Sequence, residues 1–119
     1  MKTKDISGAE LTVMKVLWDA DRAMTVHEVC DALTESDWKY KTVATLLLWL
    51  EEKGAVRSNK DGRANLYTPV LDREKYTRSR TKSFIDGLYD GSVRKLVASL
   101  VHDEMSEEDV EEIRKMFDL

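Results

Sequence analysis

Few residue types in this 119-residue chain are placed to do chemistry, and the densest group lies between residues 39 and 63. Lys41, Thr42 and Thr45 stand in the stretch YKTVATLLLWLEEKG, residues 40–54, followed one turn later by Leu48. At about 100° per residue, Val43, Leu46, Leu47 and Leu50 make one apolar stripe, and Lys41, Thr45, Leu48 and Glu52 fall on the opposite side. That outward face has the chemistry of base recognition. A lysine ammonium donates to guanine O6 and N7 or to phosphate, and threonine donates, accepts, or lays its methyl against that of thymine. Leu48 is awkward on a wet face and well suited to thymine methyls. Leu48 and Trp49 beside it have a second reading, in which they pack on the hairpin or on the C-terminal arm. Lys39 just before the helix, and Lys60 and Arg63 on the turn KDGR, have the charge for phosphate contacts.

Catalytic constellations are missing from the sequence. The two histidines, His27 and His102, are far apart. Cys30 follows His27 by three residues, a spacing that could make a thiolate pair or half a metal site, but no second pair completes four ligands. Cys30 also falls on an apolar helical stripe, which assigns it to the core. There is no Gly-rich phosphate loop, nucleophile elbow or acidic ligand set on a loop. The run SEEDVEE fits a helix start that uses the helix dipole. The sequence therefore predicts no catalytic residue, no metal, no cofactor and no enzyme.

Charge is distributed in blocks. Residues 1–37 carry 4 basic and 8 acidic side chains, residues 38–82 carry 11 and 5, and residues 83–119 carry 4 and 10, so the formal net charge of −4 conceals a basic middle between acidic ends. A polyanion-binding surface flanked by solubilising segments accounts for this pattern. At 42% hydrophobic and 35% charged the chain reads as globular. Thr42–Leu50, the longest uncharged stretch within a helical pattern, is far short of the about 20 residues that span a bilayer. The start MKTKDISGAE lacks the apolar core of a secretory signal, and the lone Cys30 cannot form an internal disulfide. Together these features predict a cytoplasmic protein with no membrane insertion.

The elements that must position these residues are legible from caps and periods. Ser7-Gly8-Ala9-Glu10 and Thr25-Val26-His27-Glu28 are capping boxes. The first opens a helix to about Asp19 with Leu11, Met14, Leu17 and Trp18 on one face, and Ile6 placed to staple onto Leu11. The second opens a short helix to about Thr34 with Val26, Val29, Cys30 and Leu33 inward. A polar connection anchored by Trp38 leads to the third helix, about Tyr40 to Lys53, with Gly54 as its terminator. The period then changes to that of strands: residues 55–59 and 64–70 read as a hairpin around an Asp-Gly turn signal. Asp72 opens a long helix to about Tyr89. The segment DGS breaks it, Val93, Leu96, Val97, Leu100 and Val101 stripe another helix, and Ser106 opens the last, striped by Val110, Ile113, Met116 and Phe117. Three short helices and a hairpin follow the winged helix-turn-helix plan. The predicted fold is thus mainly α with a small β-hairpin wing, a DNA-binding domain over residues 5–70 and a helical dimerisation arm over residues 71–119. The arm stripes, including Phe84 and Leu88, exceed what one small helical hairpin buries, so a partner chain is the simplest cover.

Several segments in order resemble one known family. ISGAELTVMKVLW, YKTVATLLLWLEEKGAV, GRANLYTPV, KSFIDGLYDGS and SLVHDEMSEEDVEEIRKMF are similar to the corresponding parts of the penicillinase repressors, the BlaI/MecI group of bacterial winged-helix regulators. The resemblance covers roughly residues 6 to 117. It implies a homodimer that binds a dyad operator in double-stranded DNA and represses resistance-type genes, with a membrane sensor-protease system as a further partner of such repressors. It also implies inactivation by cutting an Asn–Phe bond in the C-terminal arm. Aligning KLVASLVHDE with that segment puts Ser99-Leu100 at the cut, where Leu100 lies on an apolar stripe and is expected to be buried.

The chain departs from the family's pattern at three places. Lys39-Tyr40 replaces the Ser-Pro that usually opens the recognition helix. Lys41-Thr42 and Thr45 match the family's Lys-Thr and Thr, whereas Leu48-Trp49 stands where a polar residue and Arg are common. The cysteine-rich C-terminal metal motif of a copper-responsive branch is missing. The alternative function is a winged-helix protein-interaction module in which Leu48 and Trp49 form a sticky face. The basic middle of the chain favours DNA, because such a module has no need for so many cations around one helix and hairpin.

Overall fold

A computed structural model of the chain describes residues 5–103 and 105–116. The element order is α1 (Gly8–Ala20), α2 (Val26–Ala32), α3 (Tyr40–Glu52), β1 (Val56–Asp61), β2 (Ala64–Pro69), α4 (Arg73–Leu88), α5 (Val93–Asp103) and α6 (Glu107–Met116). The chain divides into two compact units, Met1–Arg73 and Glu74–Leu119.

In the first unit, local chemistry starts and stops the helices. Both capping boxes form: the Ser7 and Thr25 hydroxyls accept from the Glu10 and Glu28 amides, and each glutamate reaches back to its cap residue's amide. The short α2 ends at Ala32, earlier than its apolar spacing suggests, and Leu33 leaves helical geometry as its C-cap. At the end of α3, the Gly54 amide donates to Glu51 O at 3.0 Å and the Ala55 amide to Leu50 O at 2.9 Å. These two bonds, with Gly54 at φ 79°, make a Schellman terminator that turns the chain sharply into β1.

β1 and β2 pair antiparallel from Val56↔Pro69 to Asp61↔Ala64. The turn therefore consists of Gly62 and Arg63, not Asp61-Gly62 as the dipeptide signal suggests. Gly62 takes φ 66° while Arg63 keeps an ordinary negative φ. A positive φ at a leading Gly is what the type II′ two-residue hairpin turn requires, and it fits the strand twist as well as the type I′ turn that Asp-Gly would form. A third strand position escapes the sequence altogether. Met24, between α1 and α2, bridges Tyr67 through reciprocal amide–carbonyl bonds of 3.0 and 2.8 Å.

These elements enclose one core. Val13, Met14, Leu17, Val29, Val43, Leu47, Leu50 and Ala55 are fully buried, with Met24, Val26, Leu46, Val56 and Tyr67 nearly so. Val13 takes the central α1 position. Leu11, Trp18, Cys30 and Leu33, expected inside, are only half-buried, because the short helices leave the rim of the core open. Trp18 serves as a clamp: its Nε1–H donates to Leu71 O at 2.9 Å and its ring lies 5.5 Å from the Arg73 guanidinium. Arg73 in turn pairs with Asp19 at 2.7 Å.

In the second unit, Ser92 caps α5 by accepting from the Lys95 amide at 3.1 Å, and Ser106 caps α6 by accepting from the Asp109 amide at 3.1 Å. Asp90 and Gly91, both at positive φ, make the break between α4 and α5. No residue of α4 is buried, nor is any described residue of α6. Phe84 is 48% exposed, Leu88 67% and Met116 78%. Leu96, Leu100, Val110 and Ile113 are half-buried. For Leu100 this corrects the expectation of full burial, since the single chain supplies too few neighbours to close over it. Phe117 lies outside the described residues.

Candidate nucleic-acid interface

The apolar stripe of α3, Val43, Leu46, Leu47 and Leu50, is buried, and that burial orients the helix's outer face. Lys39, Lys41, Thr42, Leu48 and Trp49 are exposed and Thr45 is half-buried. Residues seven apart lie nearly above one another on a helix. Lys41 and Leu48 form one column and Thr42 and Trp49 a second, with Thr45 between them. Lys39, Lys41, Thr42, Thr45 and Trp49 line a shallow concavity of about 350 Å³ floored by Leu46.

The start of α3 is unlike those of α1 and α2. Lys39 occupies the N-cap with no side-chain hydrogen bond, and the first turn carries no acidic residue. The first amides of α3 thus lack a side-chain acceptor, and the positive end of the helix dipole is unneutralised by a local carboxylate. The Tyr40 ring, on this first turn, sits 4.5 Å from the His27 ring of α2 at an interplanar angle of 43°. This contact is invisible to periodicity because it joins two elements.

Arg63 is exposed in the hairpin turn. Lys60, expected with it on the tip, lies inside β1 opposite Asn65 and is also exposed. The hairpin is tied to α3 by a hydrogen bond from the Ser58 hydroxyl to the Glu51 carboxylate. Another tie, from Lys53 to Glu10 at 2.5 Å, holds the end of α3 to the first turn of α1. In the sequence Glu10 reads only as a capping residue. The structure makes it the one buried charged residue among those described, at 1% exposure.

Among the described residues no cluster of His, Cys, Asp and Glu could hold a metal ion. Burial, with Asp31 beside it, pushes the Cys30 thiol above its ordinary value, the opposite of an activated nucleophile. No helix of the described chain is long and apolar enough to cross a membrane.

Residues 6–118 match the family model of the penicillinase repressor. The chain belongs to the penicillinase repressor family. It is 35% identical over 118 residues to the penicillinase repressor of Bacillus licheniformis, covering 98% of this chain and 92% of that one. It is 30% identical over 116 residues to the methicillin resistance regulatory protein MecI of Staphylococcus aureus strain N315, covering 97% and 94%. Among solved structures it is similar to the DNA-binding domain of the repressor BlaI, with TM-score 0.56 and 43% identity over 63% of this chain and 92% of that one. It is likewise similar to the monomeric form of B. licheniformis BlaI in complex with the blaP half-operator, with TM-score 0.53, 43% identity and the same coverage. The elements of the first unit, three helices and a hairpin, form a winged helix-turn-helix in which α3 is the second helix of the pair.

Proposed function

We propose that the chain is a dimeric, sequence-specific transcriptional repressor that binds a dyad operator in double-stranded DNA. Residues 5–70 are its DNA-binding domain and residues 71–119 its dimerisation domain. The observation that carries this reading is the outer face of α3, which sets Lys41, Thr42, Leu48 and Trp49 in the open above a fully packed stripe. Lys41, Thr42, Thr45 and Leu48 read base edges. Lys39, the uncapped start of α3, Lys60 and Arg63 hold phosphates and position the domain without specifying sequence. The solved complex of the related BlaI with its half-operator supports the operator-binding reading.

The exposed stripe residues of the second unit, Phe84, Leu88 and Met116, support a homodimer that also covers Leu96, Leu100, Val110, Ile113 and Phe117. Two domains related by a two-fold axis read two half-sites, and operator spacing follows from that symmetry. The protein acts in the cytoplasm, and the inducing partner of the family type is a membrane sensor-protease system.

Selection from a random duplex library, followed by a salt titration on the enriched sequence, tests the proposal. A repressor enriches a dyad sequence, and its log affinity falls steeply and linearly with log salt as counterions are released. A protein-interaction module enriches nothing and shows no such slope.

A further inference from the structure

Trp49 has no assigned role in the packing of the first unit, and it differs from the structural tryptophan Trp18. Trp18 is half-buried, donates its Nε1–H to Leu71 O at 2.9 Å and lies under the Arg73 guanidinium. Trp49 has neither kind of partner among the described residues and is 49% exposed. Leaving so large an aromatic surface in water on a helix whose opposite face is fully packed is unfavourable unless a partner covers it.

The placement indicates which partner. Trp49 stands two turns after Thr42 on the same column of α3, with Thr45 one turn before it. Its indole forms one wall of the concavity whose other walls are Lys39, Lys41, Thr42 and Thr45, with Leu46 beneath. The cations at one end suit a polyanion, and the apolar floor and wall suit a small apolar group. In the major groove of duplex DNA the only apolar group on a base edge is the C5-methyl of thymine.

We propose that Trp49 is a specificity-determining residue that selects thymine at one position of each half-site by packing its indole against the C5-methyl. This contact rests on the operator-binding reading above and extends it to a residue that carries neither charge nor hydroxyl. Because the contact is neutral, it changes which sequence is preferred and leaves the salt dependence alone.

The test is a thymine-to-uracil scan of the operator enriched by the full-length chain, since uracil deletes the methyl and keeps every hydrogen-bonding atom. Uracil at that position in one half-site should weaken the wild type by about fourfold, the value of one buried methyl-sized group, and in both half-sites by about fifteenfold. The same substitution should not weaken W49A, and W49A should keep the wild-type salt slope. W49Q, which keeps bulk and is polar, gives the same readout should W49A not fold. A scan that is flat for the wild type, or a uracil penalty that persists undiminished in the variant, overturns the contact while leaving operator binding intact. A wild-type chain that enriches no sequence overturns the operator-binding reading itself and the contact with it. Loss of affinity in the variant shared equally by all sequences makes Trp49 a positioning residue and overturns the selective role.

Discussion

Lys53 Nζ lies 2.5 Å from Glu10 Oε1, joining the C-cap of α3 to the first turn of α1 across 43 positions of sequence. Lys53 also donates to the Asp5 carbonyl at 3.2 Å, while Glu10 Oε2 is buried with no hydrogen-bond partner. The pair sets the angle of α3 against the body of the domain. Burial pushes the Glu10 carboxyl up, but hydrogen bonds from Lys53 and Ser7 outweigh it and hold the carboxyl below its ordinary value. Glu10→Gln should cost about 2–4 kcal/mol at pH 7, toward the low side for a broken buried pair because Lys53 keeps some water contact. With a depressed folded pKa, the contribution is complete above the ordinary carboxylate range and is lost as pH falls through the folded value. In urea unfolding, the stability gap between the wild type and E10Q should therefore narrow progressively as pH falls below about 4. A stability gap that is unchanged down to pH 2 would mean the charge plays no part.

Thr45 Oγ1 donates to Lys41 O at 2.9 Å, so its hydroxyl proton is committed to its own helix. The methyl and an oxygen lone pair remain for a base edge. Thr45→Ala should cost about 1–3 kcal/mol on the best site and much less on random duplex. Thr45→Val, which keeps the methyl, should recover part of the loss. Equal losses on both kinds of DNA would reduce Thr45 to a positioning role.

Arg63 occupies the second position of the hairpin turn and is exposed. Arg63→Ala should weaken binding to all sequences alike and lower the salt slope by about one, the signature of one lost phosphate contact. An unchanged slope places the turn away from DNA.

A chain ending at Lys82 retains every residue of the first unit's core and loses the stripes from Phe84 onward. Sedimentation should find it monomeric, and its operator affinity should fall about 100-fold or more once the two half-sites are no longer linked. A truncated chain that still sediments as a dimer puts the interface elsewhere.

The Ser99–Leu100 bond lies inside α5, and the Ser99 hydroxyl is held by Leu96 O at 2.9 Å and by the Tyr89 hydroxyl at 3.0 Å. A protease reaches it only after local opening of the helix. A protease selective for Asn–Phe should cut this chain poorly, whereas a specific site engineered at 99–100 and cleaved should abolish dimeric operator binding by detaching α6. Retention of full affinity after complete cleavage would show that the arm is not the switch.

The sequence by itself determined what depends on neighbours within about a turn. The capping boxes at Ser7 and Thr25, the Gly54 terminator and the apolar stripe of α3 all rest on groups three to seven residues apart, so the winged-helix order and the outward placement of Lys41, Thr42, Thr45 and Leu48 could be read before any fold was known. Tertiary structure decided what depends on groups distant in sequence. The Met24–Tyr67 bridge has no strand pattern around Met24, because a lone backbone pair leaves no period. The turn moved to Gly62-Arg63 because strand register, not the dipeptide alone, sets which residue takes positive φ. Glu10 became a buried ion-pair partner, and Trp49 stood open while Trp18 was clamped, because each depends on which distant segment packs against its helix. Spacing along one chain fixes a face; only the packed fold determines whether that face meets protein or is left for a partner.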